Sequence, residues 1–391
     1  GGHGRLVPDG VQTAALDADR GRALRAGELD ARAHPGQRAA DALHRDHGVA
    51  EHGAGPVAQA PGPREAVEMA EGILWLRLPL PMALDHVNVF ALDDGDGWTL
   101  LDTGFDTGKT RAIWDSVLVG PLAGRPVRRV IVTHYHPDHV GLAGWFQSRG
   151  AELVTTRTSW LLARMLTLDE HKLPAAETLA FWRRAGMDPG LLSRRATERP
   201  FNFCDVVAPL PLGYTRIADG GRIRAGGRDW TVRVGHGHAP EHATFWEEGG
   251  ALVLGGDQLL PSISANLGVY ASEPMADPVG EWLESCAAFR AFARDDHLVL
   301  PGHKLPFTGL PMRLGQMIDN HLGALDRLMD HLAQPRTAAD CFAPLFKRAI
   351  GEAEYGLALV EAVAHLNHLL HRGRVERMLD ANGAWLWRRA T

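Results

Sequence analysis

Four short apolar runs in this chain each stop on a histidine or an aspartate, and any fold the chain adopts must place those four ends. VRRVIVT leads into T-H-Y-H-P-D-H-V-G at 133–141, DWTVRVG into V-G-H-G-H-A-P-E-H at 234–242, and L-V-L-G-G-D and L-V-L-P-G-H finish at Asp257 and His303. Apolar runs of this length bounded by turn residues read as buried strands, so their polar ends converge on one rim. The first end carries three imidazoles and one carboxylate within six residues. In an extended loop, residues i and i+2 point the same way. His134 and His136 can therefore grip one cation, while Asp138 and His139 open the next helix and face a second position. A solvated His-rich loop is the alternative in a chain with 20 histidines, but it requires no further partners, and three further ends supply them. His238 is the expected donor of the second motif, with His236 and His242 competing and His242 read as a supporting residue. Asp257 suits a carboxylate bridging two cations, against an ordinary helix-cap or turn role. His303 completes the set.

The rest of the pattern is scaffold. From residue 72, ILWLRLPL, VNVFALDD and WTLLD read as strands, residues 107–119 as an amphipathic helix, and VRRVIVT as a buried strand ending at Thr133. Helical spacing over 159–196, broken at Pro174 and Pro189, predicts helices inserted over the site. A second strand set follows in TRIADGGRI, DWTVRVG, ATFWEE, ALVLGGD and HLVLPGH. Two sheets packed between helix layers fit this order. Residues 310–332 predict a long helix closed by Pro335. Beyond it come a helix near 338–350, another over 357–372, and a hairpin signalled by Asn382-Gly383. The resulting plan is a segment 1–64, a main domain 65–310, a connecting helix 311–336 and a winged-helix-like unit 337–391. The segment 1–64 has no aromatic residue and too little apolar surface to offset its ordering entropy, so it is expected to be disordered or loosely attached.

Composition narrows the partners. A net charge of −6 gives no global positive field to recruit nucleic acid or an anionic membrane. Cys204, Cys286 and Cys341 lie far apart with no CxxC pair, which argues against a disulfide framework and for a reducing cytoplasm. No stretch approaches the roughly 20 apolar residues of a membrane helix, and the start lacks the apolar run of a secretory signal. The expectation is a soluble cytoplasmic protein without a membrane partner.

HxHxDH, a downstream GHxPxH, a Gly-Asp after a strand and a Pro-Gly-His, in that order, resemble the metallo-β-lactamase superfamily over roughly residues 72–310. One departure is an extra histidine, His236, two residues before the expected one. The resemblance implies an α+β fold: a four-layer αββα sandwich with inserted helices and a small C-terminal helical, winged-helix-like module. It implies that His134, His136 and His238 hold one ion, that Asp138, His139 and His303 hold the other, and that Asp257 bridges them. Asp102 in LLDTG then orients the loop without being a ligand. The layout is similar to glyoxalase II and to lactamase-like endoribonucleases that end in a winged-helix-like unit.

Imidazole and carboxylate donors without cysteine suit zinc first, with iron or manganese compatible. Two ions about 3.5–4 Å apart share a hydroxide, lower the pKa of water toward roughly 7 and polarise the oxygen under attack. The expectation is a dinuclear hydrolase in which Asp138, as ligand and proton acceptor, is the catalytic residue. The first substrate class is a small ester, thioester or lactone beneath an apolar lid of Trp160, Leu161, Met165, Phe181 and Trp182, residues that ordinary helix packing would equally explain. The second is RNA or another phosphodiester, prompted by Arg372, Arg374, Arg377, Arg388 and Arg389. The chain, however, lacks the large inserted domain of the RNA-processing branch, and basic residues beside a hairpin are usually a solvated face. A complete ligand set argues against a non-enzymatic metal-binding protein. A β-lactamase in the strict sense is disfavoured, because those secreted enzymes carry a signal peptide and generally lack the aspartate that Asp257 supplies.

Overall fold

In the computed structural model, which describes residues 59–82 and 84–390, a first sheet is built from β1 (Val67–Ala70), β2 (Ile73–Pro79), β3 (His86–Asp93), β4 (Trp98–Leu101), β5 (Val127–Ile131), β6 (Glu152–Thr155) and β7 (Thr215–Arg216), hydrogen-bonded in that order. The pairs are antiparallel as far as β4 and parallel beyond it. Parallel neighbours need crossovers. These are α1 (Gly108–Val119) before β5, α2 (Pro137–Val140) and α3 (Ala143–Gln147) before β6, and α4 (Arg157–Leu168), α5 (Ala176–Arg184) and α6 (Pro189–Arg195) before β7. Thr107 caps α1 by accepting from the Thr110 N–H, and Pro189 occupies the first turn of α6. The strand VRRVI stops at Ile131, two residues before the expected Thr133.

The second sheet contains β8 (Arg222–Ala225), β9 (Arg228–Gly235), β10 (His242–Glu247), β11 (Leu252–Gly256) and β12 (Leu298–Pro301), with α7 (Pro278–Phe289) crossing from β11 to its parallel neighbour β12. After β12 come α8 (Leu310–His331), α9 (Phe342–Phe346), α10 (Tyr355–His371) and the hairpin β13 (Val375–Leu379) with β14 (Trp385–Arg389). The hairpin loop spans residues 380–384. Asp380 Oδ1 accepts from the N–H groups of Asn382 and Ala384, and Gly383 takes the positive φ of 83°. The connection is thus wider than a two-residue Asn-Gly turn.

Alternation along the strands decides the layers. Ile73, Trp75, Phe90, Leu92, Leu101 and Ile131 face the second sheet and meet Trp230, Val232, Phe245, Leu254 and Leu300. Leu76, Leu78, Val87, Val89, Leu100 and Val130 face the other way, onto Ile113, Trp114 and Val117 of α1 and Phe146 of α3. On the far side of the second sheet, Trp246, Val253 and Val299 pack under Val279, Trp282 and Phe289 of α7. Helix, sheet, sheet and helix stack in four layers. That outer cluster continues without a break through Leu314, Met317 and Leu328 of α8 into Leu359, Val363 and Leu366 of α10 and Trp387 of β14. The C-terminal unit therefore shares its core with α7.

The segment 1–58, most of the stretch expected to be loosely attached, lies outside the described residues, and the chain is already packed at Ala60 and Pro61. Among the inserted aromatic residues, Trp160 stacks on Tyr214 with ring centroids 4.8 Å apart, while Phe181 and Trp182 join the outer core. Leu161 and Met165 remain about half exposed, at 52% and 49%. Ordinary packing accounts for the first three. None of the described helices is long and apolar enough to cross a membrane, and no disulfide joins Cys204, Cys286 and Cys341.

Candidate metal centre

The four strand ends meet as the apolar runs require. Beyond Ile131, Thr133 and His134 leave β5, His136 stands at the N-terminus of α2, and Asp138 and His139 fill its short turn. His238 follows β9, Asp257 follows β11 and His303 follows β12. His134 Nε2 lies 3.0 Å from His136 Nδ1, which lies 3.0 Å from His238 Nε2. Donors around one ion with ligand bonds of 2.0–2.1 Å sit roughly 3.0–3.4 Å apart. The opposite group is slightly wider. Asp138 Oδ2 is 3.4 Å from His303 Nε2 and 3.6 Å from His139 Nε2. Asp257 stands between the two groups, with Oδ1 3.4 Å from His139 and Oδ2 3.5 Å from His238 and 3.2 Å from His303. The side chains fall into three mutually close triads, His134–His136–His238, His134–His139–Asp257 and Asp138–His139–His303, each able to hold an ion.

The outward ring nitrogens are held in place. His139 Nδ1 bonds Asp102 Oδ2 at 2.8 Å, His238 Nδ1 bonds the Asn266 carbonyl at 2.9 Å and His303 Nδ1 bonds the His86 carbonyl at 2.8 Å. Thr133 Oγ1 donates to Asp102 and so accepts from His134 Nδ1 at 2.9 Å. A donor at Nδ1 fixes the tautomer and leaves Nε2 with its lone pair toward the centre. Asp102 is the hub of this support. It holds an uncommon left-handed φ of 62°, and it also accepts from the Thr133 N–H at 2.8 Å. His242 belongs to the support as well: its Nε2 accepts from the Asp257 N–H at 3.0 Å and its ring stacks on His134. His236 stands apart, its Nδ1 accepting from the Glu241 N–H.

Two observations test whether cations fit. His139 Nε2 and Asp257 Oδ1 are buried and have no hydrogen-bond partner among the described residues. Unpartnered buried polar atoms are uncommon, and here they face each other across the centre. The second observation is electrostatic. Burial and the neighbouring imidazoles hold His134 well below the usual histidine range and His136 near a pKa of about 3, so both are neutral donors. Burial would do the same to His139 and His303, yet Asp257 and Asp138 outweigh it and raise both, His303 to about 10. Asp138 and Asp257 stay ionised despite their burial. These carboxylates thus demand positive charge beside His139 and His303. The residues fit divalent metal binding.

Asn266, His86 and Glu361 were not legible as site residues. Asn266 Nδ2 donates to Glu361 Oε2 at 2.7 Å, which ties the carbonyl that holds His238 to buried Glu361 on α10.

The profile of the Metallo-beta-lactamase superfamily matches residues 82–303, and that of the Metallo-beta-lactamase-like, C-terminal domain matches residues 325–390. A beta-lactamase domain protein from Burkholderia ambifaria is similar at 34% identity and a TM-score of 0.78, covering 85% of this chain and 97% of its own. A metallo-beta-lactamase family protein from Thermus thermophilus matches at 26% identity and a TM-score of 0.68, covering 83% of this chain and 100% of its own. The "Probable metallo-hydrolase YqjP" of Bacillus subtilis (strain 168) is 25% identical over 308 residues, 76% of this chain and 92% of that protein. With its motifs, its four layers and these likenesses in agreement, the chain belongs to the metallo-β-lactamase superfamily.

Proposed function

We propose that this metallo-hydrolase works with two divalent cations, zinc first, and cleaves a small ester, thioester or lactone. His134, His136 and His238 would hold one ion, Asp138, His139 and His303 the other, and Asp257 would be shared. The carrying observation is the position of Asp257, whose Oδ2 lies within 3.5 Å of His238 from one group and 3.2 Å of His303 from the other, while its Oδ1 faces His139. When bound, such a pair supplies an activated water nucleophile and a Lewis acid for the oxygen under attack. The chain does the rest. Asp138, at the accessible side of the cluster, orients the water and accepts its proton. His134, His139, His238 and His303 keep their donor atoms inward through the fixed tautomers, and buried His242 holds the Asp257 backbone.

The substrate class rests on charge and on apolar surface. Of the five C-terminal arginines, Arg388 pairs with Glu376, Arg389 with Asp330 and Arg372 with Glu284. A phosphate backbone needs several free cations in a track, and pairing removes most of this one. Beside His136, Tyr135 stacks on Phe203, which gives an apolar flank. The test presents thioesters, lactones, phosphodiesters and single-stranded RNA to the metal-loaded full-length enzyme. Two metal equivalents, loss of turnover with chelator and preference for a carbonyl substrate are expected. A protein without transition metal, hydrolysing regardless of chelator, refutes the metal chemistry; dominant RNA cleavage refutes the substrate class.

A further inference from the structure

A cavity of about 490 Å³ lies between α5, residues 271–275, α10 and the C-terminal hairpin, and none of the seven clustered side chains lines it. Its volume falls within the roughly 300–1,000 Å³ of small-molecule sites. The walls are apolar and aromatic, with Phe181 from α5, Val363 from α10, and Trp385 and Trp387 from β14. Charge comes from Arg184 and Arg377, against the single carboxylate of Glu177.

The two arginines differ from their neighbours. Arg388 and Arg389 on the same hairpin are paired with carboxylates, whereas neither Arg184 nor Arg377 forms an ion pair with a described residue. The Arg377 guanidinium lies 4.5 Å and 5.0 Å from the ring centroids of Trp385 and Trp387, and donates only to the weakly accepting sulfur of Met275 at 3.1 Å. Burial and then the nearby charge of Arg184 push its pKa down. Arg377 is partly buried and Arg184 is exposed; two neighbouring like charges repel, and an anion between them relieves that cost. A third group is also unsatisfied. Trp387 is 1% exposed, and its Nε1–H is buried without a partner among the described residues. A buried indole N–H usually has one.

We infer that this cavity binds an amphiphilic monoanion: an apolar body packed against Phe181, Val363 and the two tryptophans, with a singly charged oxyanion held between Arg184 and Arg377. Two arginines against one glutamate leave one positive charge, which sets the valence. The inference is independent of the hydrolase reading, because binding is measured without turnover.

The experiment titrates the full-length metal-loaded protein by calorimetry with octanoate, with octane-1-sulfonate and with octan-1-ol. Sulfonate is a poor ligand for metals, so it separates this cavity from the metal centre. Saturable one-to-one binding of both anions is expected, with octanol at least about tenfold weaker, since a hydrogen bond to a charged group contributes about 1.5–3 kcal/mol. Arg377→Gln and, separately, Arg184→Gln should each weaken both anions by about tenfold on the same grounds and leave octanol unchanged. Thermal melts check that the hairpin variant folds, and Arg184 is exposed, so its variant stands if the other does not. Absence of saturable anion binding, equal binding of octanol, or anion binding that survives both substitutions and disappears on chelation would each overturn the inference.

Discussion

Gly302 packs against the Asp257 carboxylate, and adding one methyl group there is the sharpest test of the centre. A Cβ on Gly302 would lie 2.2 Å from Asp257 Oδ1 and 2.9 Å from His139 Cε1. The backbone cannot back away, because the Gly302 N–H donates to the Gly256 carbonyl at 2.8 Å and its own carbonyl accepts from the Asn88 N–H at 2.7 Å. The carboxylate must move instead. Restoring even 3.0 Å, below which such contacts are essentially never seen, displaces it by about 0.8 Å. A misplacement of about 1 Å at a reacting centre costs on the order of 10²-fold in rate, whereas overpacking one methyl costs only about 1–3 kcal/mol of stability. Gly302→Ala is therefore expected to remain folded while losing bound metal and most of kcat/KM, as read by elemental analysis, thermal melts and hydrolysis of the best substrate. Gly315→Ala is the control. Its Cβ would meet nothing within 4 Å, and it lies inside α8, so it should gain about 0.5–1 kcal/mol and keep full activity. If Gly302→Ala retains wild-type metal content and turnover, Asp257 does not bridge and the reasoning fails.

Asp257→Ala should lose metal and activity together, whereas His242→Ala should keep most of its metal and instead cost about 1–3 kcal/mol in urea unfolding for the stranded Asp257 N–H; the reverse ranking of metal contents would misassign the histidines. Glu361→Ala should lower metal affinity by about 10–100-fold through loss of the Asn266 strut, with Glu361→Gln restoring most of it, as measured by competition with a chromogenic chelator. The Gln side-chain oxygen can still accept from Asn266 Nδ2, which predicts this rescue, and equal losses in both variants would contradict it. Asp277 caps α7 and bonds His368 of α10 at 2.9 Å. Burial would raise its pKa, but His368 and the Gly280 N–H hold it lowered, so its contribution is complete above the unfolded value of about 3.9 and fades as pH falls through that value toward the folded one. Asp277→Asn should accordingly cost about 1 kcal/mol near pH 6 and almost nothing near pH 2 in denaturant titrations; a gap independent of pH would refute the link.

Much of the fold was legible because buried strands betray themselves as unbroken apolar runs. LVLGG and LVLP have both faces covered, so every residue is apolar or glycine, and the polar residue that follows marks the rim. The seven clustered side chains were found for that reason. What the pattern missed were short or locally unremarkable elements: β1, the four-residue β6, and α7, whose PVGEWLESCAAF hides its helix behind a proline and a glycine. The choice between a lid and ordinary packing stayed open because helical spacing does not reveal which body a stripe faces; Phe181 and Trp182 turn toward the outer core. Asn266 and Glu361 left no local signal, since the bonds that matter join positions 28 and 95 residues apart.

The strut from Glu361 through Asn266 to His238 bears on how such proteins can be recombined. A tail that reads as an attachable unit is here a buttress for a donor atom lodged in the sandwich. Grafting a foreign tail onto the sandwich replaces that buttress along with the outer core. A working chimera must therefore preserve an acceptor at position 361 and an amide at position 266 as a matched pair, and divergence in the tail is constrained from within the site it never touches.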